Sequence, residues 1–183
     1  MPKSRLKKVG AFLELYPQAS LGFVDGSTLQ NRPNHSRMLA TPVWQYRQEG
    51  KRTQPFFGFM PLWGQACLEP IQKADASAME AFLCLIRKEN NDGRTIGLVL
   101  DNARIHHAYS VKQKARELDI HLLFLPPYSP KYNPIEFLWK DGKRKLSAIA
   151  DFEQAKQGAT EIFLDLIRQR AASYAKAWCD HFV

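Results

Sequence analysis

Short apolar runs and aromatic-rich segments dominate the hydrophobic pattern in the first third of this 183-residue chain. Residues 20–25 form an apolar run that ends in Asp25, and a turn-prone Gly-Ser pair follows it. We interpret this run as a buried strand that delivers Asp25 to its end. Residues 41–48 and 54–63, rich in Val, Trp, Tyr and Phe, flank a polar turn and predict a hairpin that pairs with the first strand.

Helical and strand patterns alternate in the rest of the chain. Apolar residues recur at helical spacing in residues 76–90, and residues 109–119 also suit a helix. Continuous apolar runs follow each of them, at residues 96–100 and 121–125, as expected of strands covered on both faces. Residues 152–178 predict a last helix or helix pair. This order of elements predicts an α/β fold of three layers, a mixed central sheet with helices on both faces.

Length and composition indicate a single soluble domain with a basic surface. A chain of 183 residues fits one domain of roughly 100 to 200 residues, so we expect residues 1–183 to form one. No run reaches the roughly 18 apolar residues of a spanning helix, and no signal peptide precedes Asp25. Three widely spaced cysteines argue against a disulfide framework. We therefore expect a cytoplasmic protein without a membrane partner.

The charge of the chain favours an anionic partner. The net charge is +8 and the sequence pI is about 9.5, and a protein of this kind gains affinity for nucleic acid by releasing counterions from the phosphate backbone. Many basic domains bind nothing in particular, so charge by itself does not identify DNA as the partner. The motifs have to decide this question.

Two aspartates directly follow predicted strands. Asp25 ends the first apolar run, and Asp101 comes immediately after residues 96–100. In open α/β sheets, reactive groups collect just outside the carboxyl ends of the strands, which would bring these two side chains together. Carboxylate oxygens are preferred ligands of Mg²⁺, and phosphoryl transfer by two metals uses ions roughly 3.5 to 4 Å apart. A lone aspartate at a strand end is more often a turn former or a helix cap.

Glu136 is the candidate for a third carboxylate. A proline-rich turn at residues 126–130 reverses the chain after its strand, and Asn133 and Pro134 then resemble the cap and first position of a helix. This turn would return the start of the helix to the catalytic edge of the sheet. The bland alternative is a first-turn glutamate that the helix dipole favours.

Three segments carry a resemblance to a known family. They are residues 100–107 (Leu-Asp-Asn-Ala-Arg-Ile-His-His), 125–130 (Leu-Pro-Pro-Tyr-Ser-Pro) and 133–139 (Asn-Pro-Ile-Glu-Phe-Leu-Trp). They resemble the catalytic domain of mariner-like and bacterial insertion-sequence transposases of the Asp-Asp-Glu type. In that family the second aspartate opens an Asp-Asn-Ala-x-x-His segment, and the glutamate closes an Asn-Pro-Ile-Glu segment 34 residues later.

The resemblance implies a fold, a reaction and a metal site. The fold would be ribonuclease H-like, and Asp25, Asp101 and Glu136 would be the catalytic, metal-binding residues for Mg²⁺ or Mn²⁺, with two ions. The reaction would be hydrolysis of DNA and strand transfer at transposon ends. The similarity is close over residues 97–140 and looser over residues 20–65, where Gly26 follows Asp25 in place of the acidic residue usual in the family.

The resemblance also implies partners. We expect double-stranded DNA, both transposon ends and target, a homodimer on that DNA, and an association with the bacterial nucleoid. Family members usually carry a helix-turn-helix region before the catalytic domain, whereas only 24 residues precede Asp25 here. We therefore expect a catalytic fragment, one product of a split reading frame with a separately encoded DNA-binding region, or a remnant.

Supporting roles are predicted for residues near the three acids. Asn102 and His106 follow the second aspartate and are candidates to orient a carboxylate or a phosphate, although capping or packing explains the histidine equally well. A basic cluster around and after Glu136 is a candidate for DNA phosphate contacts, with a solvated helix face as the alternative. Its members are Lys131, Lys140, Lys143, Arg144 and Lys145.

Two other functions compete with a transposase. One is a nuclease on the same scaffold that only nicks DNA. The other is a catalytically silent DNA-binding or assembly module left by a decayed element. The presence of all three candidate acids argues against decay.

Overall fold

The chain forms an α/β structure in the computed structural model, which describes residues 3–31, 52–127, 132–149 and 151–179. Its helices and strands follow in the order α1 (Lys3–Leu15), β1 (Ser20–Gln30), β2 (Thr53–Pro61), β3 (Cys67–Pro70), α2 (Ala76–Glu89), β4 (Ile96–Leu100), α3 (Tyr109–Glu117), β5 (Ile120–Phe124), α4 (Ile135–Leu146) and α5 (Phe152–Cys179). A 3-10 turn, Arg104–His107, lies between β4 and α3.

The five strands form one mixed sheet in the order β3-β2-β1-β4-β5. Strands β1, β2 and β3 are antiparallel neighbours, whereas β4 runs parallel to β1 and β5 runs parallel to β4. The parallel connections need a crossover, and α2 and α3 provide it. All five residues of β4 are buried, as its unbroken apolar run predicts for a central strand.

Two hydrophobic cores lie on opposite faces of the sheet. Phe23 and Val99 point into the core beneath α1, α4 and α5, while their neighbours Val24 and Leu98 point into the core beneath α2 and α3. This alternation is the period of two that a β-strand imposes on its side chains. The arrangement confirms the predicted α/β fold with a mixed sheet between two helical layers.

Several predicted boundaries are wrong at the amino-terminal side of the fold. Strand β1 does not end at Asp25, because it continues through Gly26 to Gln30 and pairs with β2 over this whole extension. The aromatic segment predicted as one strand over residues 54–63 ends at Pro61, and the separate β3 follows. The predicted strand at residues 41–48 lies outside the described residues.

Helix α1 was not predicted, although Leu6, Val9 and Phe12 recur at helical spacing in its sequence. It is held by Val9 and Phe12, which are buried in the core, and by tilted ring contacts of Phe12 and Tyr16 with His121 of β5. In the part of the chain that the structure describes, none of the helices combines the length and the apolar character needed to cross a bilayer.

Candidate active site

Asp25 and Asp101 come to the same edge of the sheet through the pairing of β1 with β4. The last parallel pair is Phe23 with Val99, and each aspartate lies two residues further along its own strand direction. Because side chains alternate between faces with a period of two, Asp25, which lies within β1, points to the face that carries Phe23. That is the face covered by α4 and α5. Asp25 therefore lies inside β1 but just beyond the end of its parallel pairing.

Asp25 is a carboxylate in an unfavourable environment for charge. Burial, followed by the negative charge of Glu136, raises the pKa of Asp25 from 3.8 to about 7, with a smaller contribution from Asp101. Two hydrogen bonds act in the opposite direction, one from the backbone of Gly26 and one from Trp139. The indole Nε1 of Trp139 donates to Oδ2 of Asp25 over 2.9 Å. Glu136 and Asp101 thus both lie within electrostatic reach of Asp25.

Asp101 has the opposite character, because its surroundings favour the charged form. His106 approaches it with Nε2 at 3.3 Å from Oδ1, and the backbone N–H of Ala103 donates to the same oxygen over 2.9 Å. The bond from His106, more than any other contact, lowers the pKa of Asp101. The Asp101 side chain is 55% exposed, while that of His106 is only 3% exposed. A buried imidazole thus fixes an exposed carboxylate.

The two residues predicted to support Asp101 hold different parts of the site. His106 contacts the carboxylate directly, and its other ring nitrogen, Nδ1, is buried without a hydrogen-bond partner among the described residues. Asn102 instead donates from its side-chain amide to the backbone carbonyl of Leu125, at the end of β5. It therefore ties the loop after β4 to the segment that follows β5.

Glu136 lies in the first turn of α4, as predicted, and its side chain is exposed. The predicted cap is wrong, because α4 begins at Ile135 with Pro134 as its N-cap and without a side-chain cap. The amide of Asn133 instead donates to the backbone carbonyl of Val24 over 3.4 Å. This buried contact joins the start of α4 to the strand residue that precedes Asp25. The asparagine therefore anchors the helix to β1.

The predicted basic cluster continues along α4 from Glu136. Its described members, Lys140, Lys143, Arg144 and Lys145, all have exposed side chains, and Lys131 lies outside the described residues. Partial burial lowers the pKa of Lys143, and the charges of Glu136 and Asp25 oppose this effect. Arg144 forms an ion pair with Asp141 at 3.4 Å. The charge of Lys143 therefore interacts with two of the three candidate acids, Glu136 and Asp25.

The three predicted acids share one edge of the fold but do not form a closed metal cage. Among the described residues, no three His, Cys, Asp or Glu side chains are close enough together to hold a metal ion as they stand. The negative charges of Glu136 and Asp101 nevertheless both raise the pKa of Asp25, so the carboxylates repel one another at this edge. A cation would remove that repulsion, and oxygen ligands of this kind suit Mg²⁺ and Mn²⁺.

Sequence reasoning missed two residues that build the site. Trp139 is buried on α4, and its bond to Asp25 was not predicted. Asn133 was assigned to the helix cap. Both contacts span more than 100 residues of sequence, so no local pattern reveals them. A polar donor on the buried face of a helix that also carries a candidate acid was the available signal.

The sequence profile described as DDE superfamily endonuclease matches residues 22–157, which include all three acids. One relative is an uncharacterized protein, y4pE/y4sA, of Sinorhizobium fredii (strain NBRC 101917 / NGR234). It is 40% identical over 67 residues, which amount to 36% of this chain and 47% of that protein. The chain thus spans about half the length of this relative.

Two solved structures of the Mos1 mariner transposase share the fold. The catalytic domain aligns with a TM-score of 0.59 and 12% identity, covering 95% of this chain and 91% of the other. The paired-end complex with the left transposon end aligns with a TM-score of 0.63 and 13% identity, covering 99% of this chain and 61% of the other. These alignments confirm the predicted ribonuclease H-like fold.

Proposed function

Because this chain belongs to the DDE superfamily of endonucleases, we propose that it is the catalytic domain of a DNA transposase. It would hydrolyse a phosphodiester at a transposon end and join the freed 3′-hydroxyl to target DNA. The observation that carries this proposal is the convergence of Asp25 with the charges of Glu136 and Asp101 at one edge of the sheet. The fold shared with the Mos1 catalytic domain supports it.

Asp25, Asp101 and Glu136 would hold the divalent cations, Mg²⁺ or Mn²⁺, as a pair. Bound there, such ions supply a nucleophile at neutral pH and stabilise the leaving oxygen. Two solved Mos1 paired-end complexes that match this chain, with TM-scores of 0.56 and 0.54 and identities of 14% and 15%, are described with Mg and with Mn. In this chain, His106 and Ala103 would orient the carboxylate of Asp101 for its ion.

The basic residues of α4 would hold the DNA backbone next to the cut. Lys140, Lys143, Arg144 and Lys145 follow Glu136 on the same helix, and Lys131 precedes it in sequence. Lysine and arginine contacts to phosphates position a duplex without reading its sequence. The net charge of +8 suits the same partner. A matching solved structure is a Mos1 complex with a transposon end.

The chain spans 61% of the length of the Mos1 chain in that complex. We propose that recognition of transposon ends depends on a further DNA-binding region, encoded separately, and that the chain works as a homodimer on DNA at the bacterial nucleoid. Residues 1–183 would constitute a single catalytic domain within that assembly.

The test is cleavage of a DNA duplex that carries the inverted repeats flanking the gene. We expect cleavage with Mg²⁺ or Mn²⁺ and none with EDTA, and we expect Asp101→Asn and Glu136→Gln to abolish cleavage while DNA binding persists. Asp92→Asn is the matched control, because Asp92 lies in the exposed turn after α2. It should cleave like the unmodified protein.

The same experiment separates the alternatives. Nicked DNA without joined products would indicate a nuclease that only nicks DNA and would contradict the proposed strand transfer. DNA binding without metal-dependent cleavage would indicate a catalytically silent DNA-binding module. Cleavage that survives Asp101→Asn would contradict the assignment of the metal site.

A further inference from the structure

Trp139 lies on α4 one turn after Glu136 and reaches across to the strand that carries Asp25. Its side chain is 3% exposed, and its indole N–H donates to Oδ2 of Asp25 over 2.9 Å. An indole has one donor and no acceptor, so this bond favours the carboxylate form of Asp25. One side chain thereby connects the helix of the third acid to the strand of the first.

The sheet leaves room for this indole next to Asp25. Gly58 of β2 is the residue paired with Asp25. A Cβ atom at Gly58 would lie 2.5 Å from Cη2 and 2.7 Å from Cζ2 of Trp139, closer than such atoms approach in proteins. The side chain missing at position 58 is thus what admits the ring beside Asp25.

A second contact fixes the ring from the side of α5. Phe163 meets Trp139 edge to face, with centroids 4.9 Å apart and planes at 80°. Phe163 in turn lies against Gly142 of α4, where an added Cβ would overlap its ring. The indole is therefore enclosed by β2, α4 and α5, with its only polar atom directed at Asp25.

We propose that Trp139 is the positioning residue for Asp25, and that Gly58 and Phe163 hold its ring so that the indole N–H sets the orientation of the Asp25 carboxylate for metal binding. This inference rests on the proposed function, since it assumes that Asp25 is a metal ligand. Replacing a residue that hydrogen-bonds to a metal ligand typically lowers metal affinity or activity by roughly 10- to 100-fold. The same contact would keep Asp25 and Glu136 in register, because Trp139 and Glu136 share one helix.

The test is the affinity of the protein for Mn²⁺, measured from the free ion by electron paramagnetic resonance. Trp139→Phe keeps an aromatic ring but removes the donor. We expect it to raise the dissociation constant about 10-fold or more, and to shift the Mn²⁺ dependence of DNA cleavage equally. Trp63→Phe is the matched control, because Trp63 is 52% exposed. It should leave both quantities unchanged.

A spectroscopic measurement reports the hydrogen bond itself. In protein with ¹⁵N-labelled tryptophan, the indole resonance that disappears in Trp139→Phe identifies Trp139. We expect that resonance to shift when Mg²⁺ is added, and to shift without metal in Asp25→Asn, whose neutral oxygen is a weaker acceptor. Gly58→Ala retains the donor but displaces the ring, so it should weaken Mn²⁺ binding as Trp139→Phe does.

The outcomes separate this inference from the proposed function. If Asp25→Asn and Glu136→Gln bind Mn²⁺ like the unmodified protein, or if the unmodified protein binds none, the metal site itself is wrong. If those two variants lose Mn²⁺ while Trp139→Phe binds it with unchanged affinity, only the positioning role is wrong. A lower melting temperature of Trp139→Phe with unchanged Mn²⁺ affinity would likewise reduce Trp139 to a packing residue.

Discussion

At the scale of single residues, the two aspartates differ because of what surrounds them. Asp25 is enclosed by β-sheet and α4, so its charge is costly, whereas Asp101 is exposed and bonded to His106. A neighbouring negative charge raises the pKa of a carboxyl group, and a bound cation would cancel this effect. In the metal-free protein, Asp25 should therefore oppose folding at neutral pH. This consequence can be measured without any DNA.

The Asp25→Asn variant should be more stable than the unmodified metal-free protein at pH 8. The pKa of Asp25 is raised from 3.8 to about 7 on folding. The contribution of Asp25 to the free energy of unfolding is therefore fully present below pH 3.8 and is lost as the pH rises through 7. A shift of about three units corresponds to about 4 kcal/mol at most. The asparagine keeps an acceptor for Trp139 and does not titrate. Urea unfolding in EDTA from pH 4 to 8 should show a difference between the proteins that grows with pH, and a constant difference would contradict it.

His106→Leu should raise the pKa of Asp101. Leucine fills the buried position but cannot donate, so the bond that contributes most to the low pKa is removed. Carboxyl ¹³C resonances recorded across a pH titration would measure the shift. His107→Leu is the comparison, because His107 is exposed, stacks on Phe124 with 4.3 Å between centroids, and lowers the pKa of Asp101 only through its charge. It should raise that pKa less than His106→Leu does. An unchanged Asp101 titration in His106→Leu would show that the imidazole contact is not made in solution.

At the scale of elements, what the sequence predicted depended on how local the pattern was. β4 and α2 were placed correctly. A strand buried on both faces and a helix buried on one side each produce a hydrophobic pattern that is visible within a few residues of sequence. The continuation of β1 through Gly26 was missed, because its partner β2 stabilises it from a distance. The cap of α4 was wrong for the same reason, since Asn133 bonds to Val24.

The packing of α4 on α5 gives a prediction with a built-in control. Gly142→Ala should destabilise the protein by about 1 to 3 kcal/mol, because the new Cβ would lie 1.8 Å from Cε1 of Phe163 and the ring must move. Gly158→Ala on α5 meets its nearest atom, Ile162 Cδ1, only at 4.0 Å. It should instead be neutral or stabilising by up to about 1 kcal/mol, because alanine favours helix over glycine. The melting temperature should therefore fall in Gly142→Ala and not in Gly158→Ala, and equal shifts would contradict the tight α4–α5 contact.

At the scale of the whole molecule, the motifs predicted both the family and the fold. The DDE superfamily profile and the shared fold with Mos1 confirm the resemblance carried by residues 97–140. The spatial arrangement of the three acids could not be predicted from the sequence. It depends on the register of β1 with β4 and on how α4 packs against the sheet. The sequence also shows only the net charge of the chain, whereas the fold shows where the charged residues lie. The basic residues of α4 lie on the side of the carboxylates, and those of α2 and α3 lie on the opposite face of the sheet.

This distribution predicts which charges bind DNA. Replacing Lys140, Arg144 and Lys145 on α4 by glutamine should weaken DNA binding and reduce the slope of log K against log salt by about 0.9 for each phosphate that is no longer neutralised. The matched control replaces Lys88, Lys112 and Arg116 of α2 and α3, because each set of three lowers the net charge from +8 to +5. Lys143 is left unchanged, since its charge interacts with Glu136 and Asp25 and its replacement would also disturb the metal site. Fluorescence anisotropy of a labelled duplex between about 50 and 300 mM KCl would measure both slopes. Equal weakening in the two triple variants would mean that the total charge attracts DNA and that α4 has no special place in binding it.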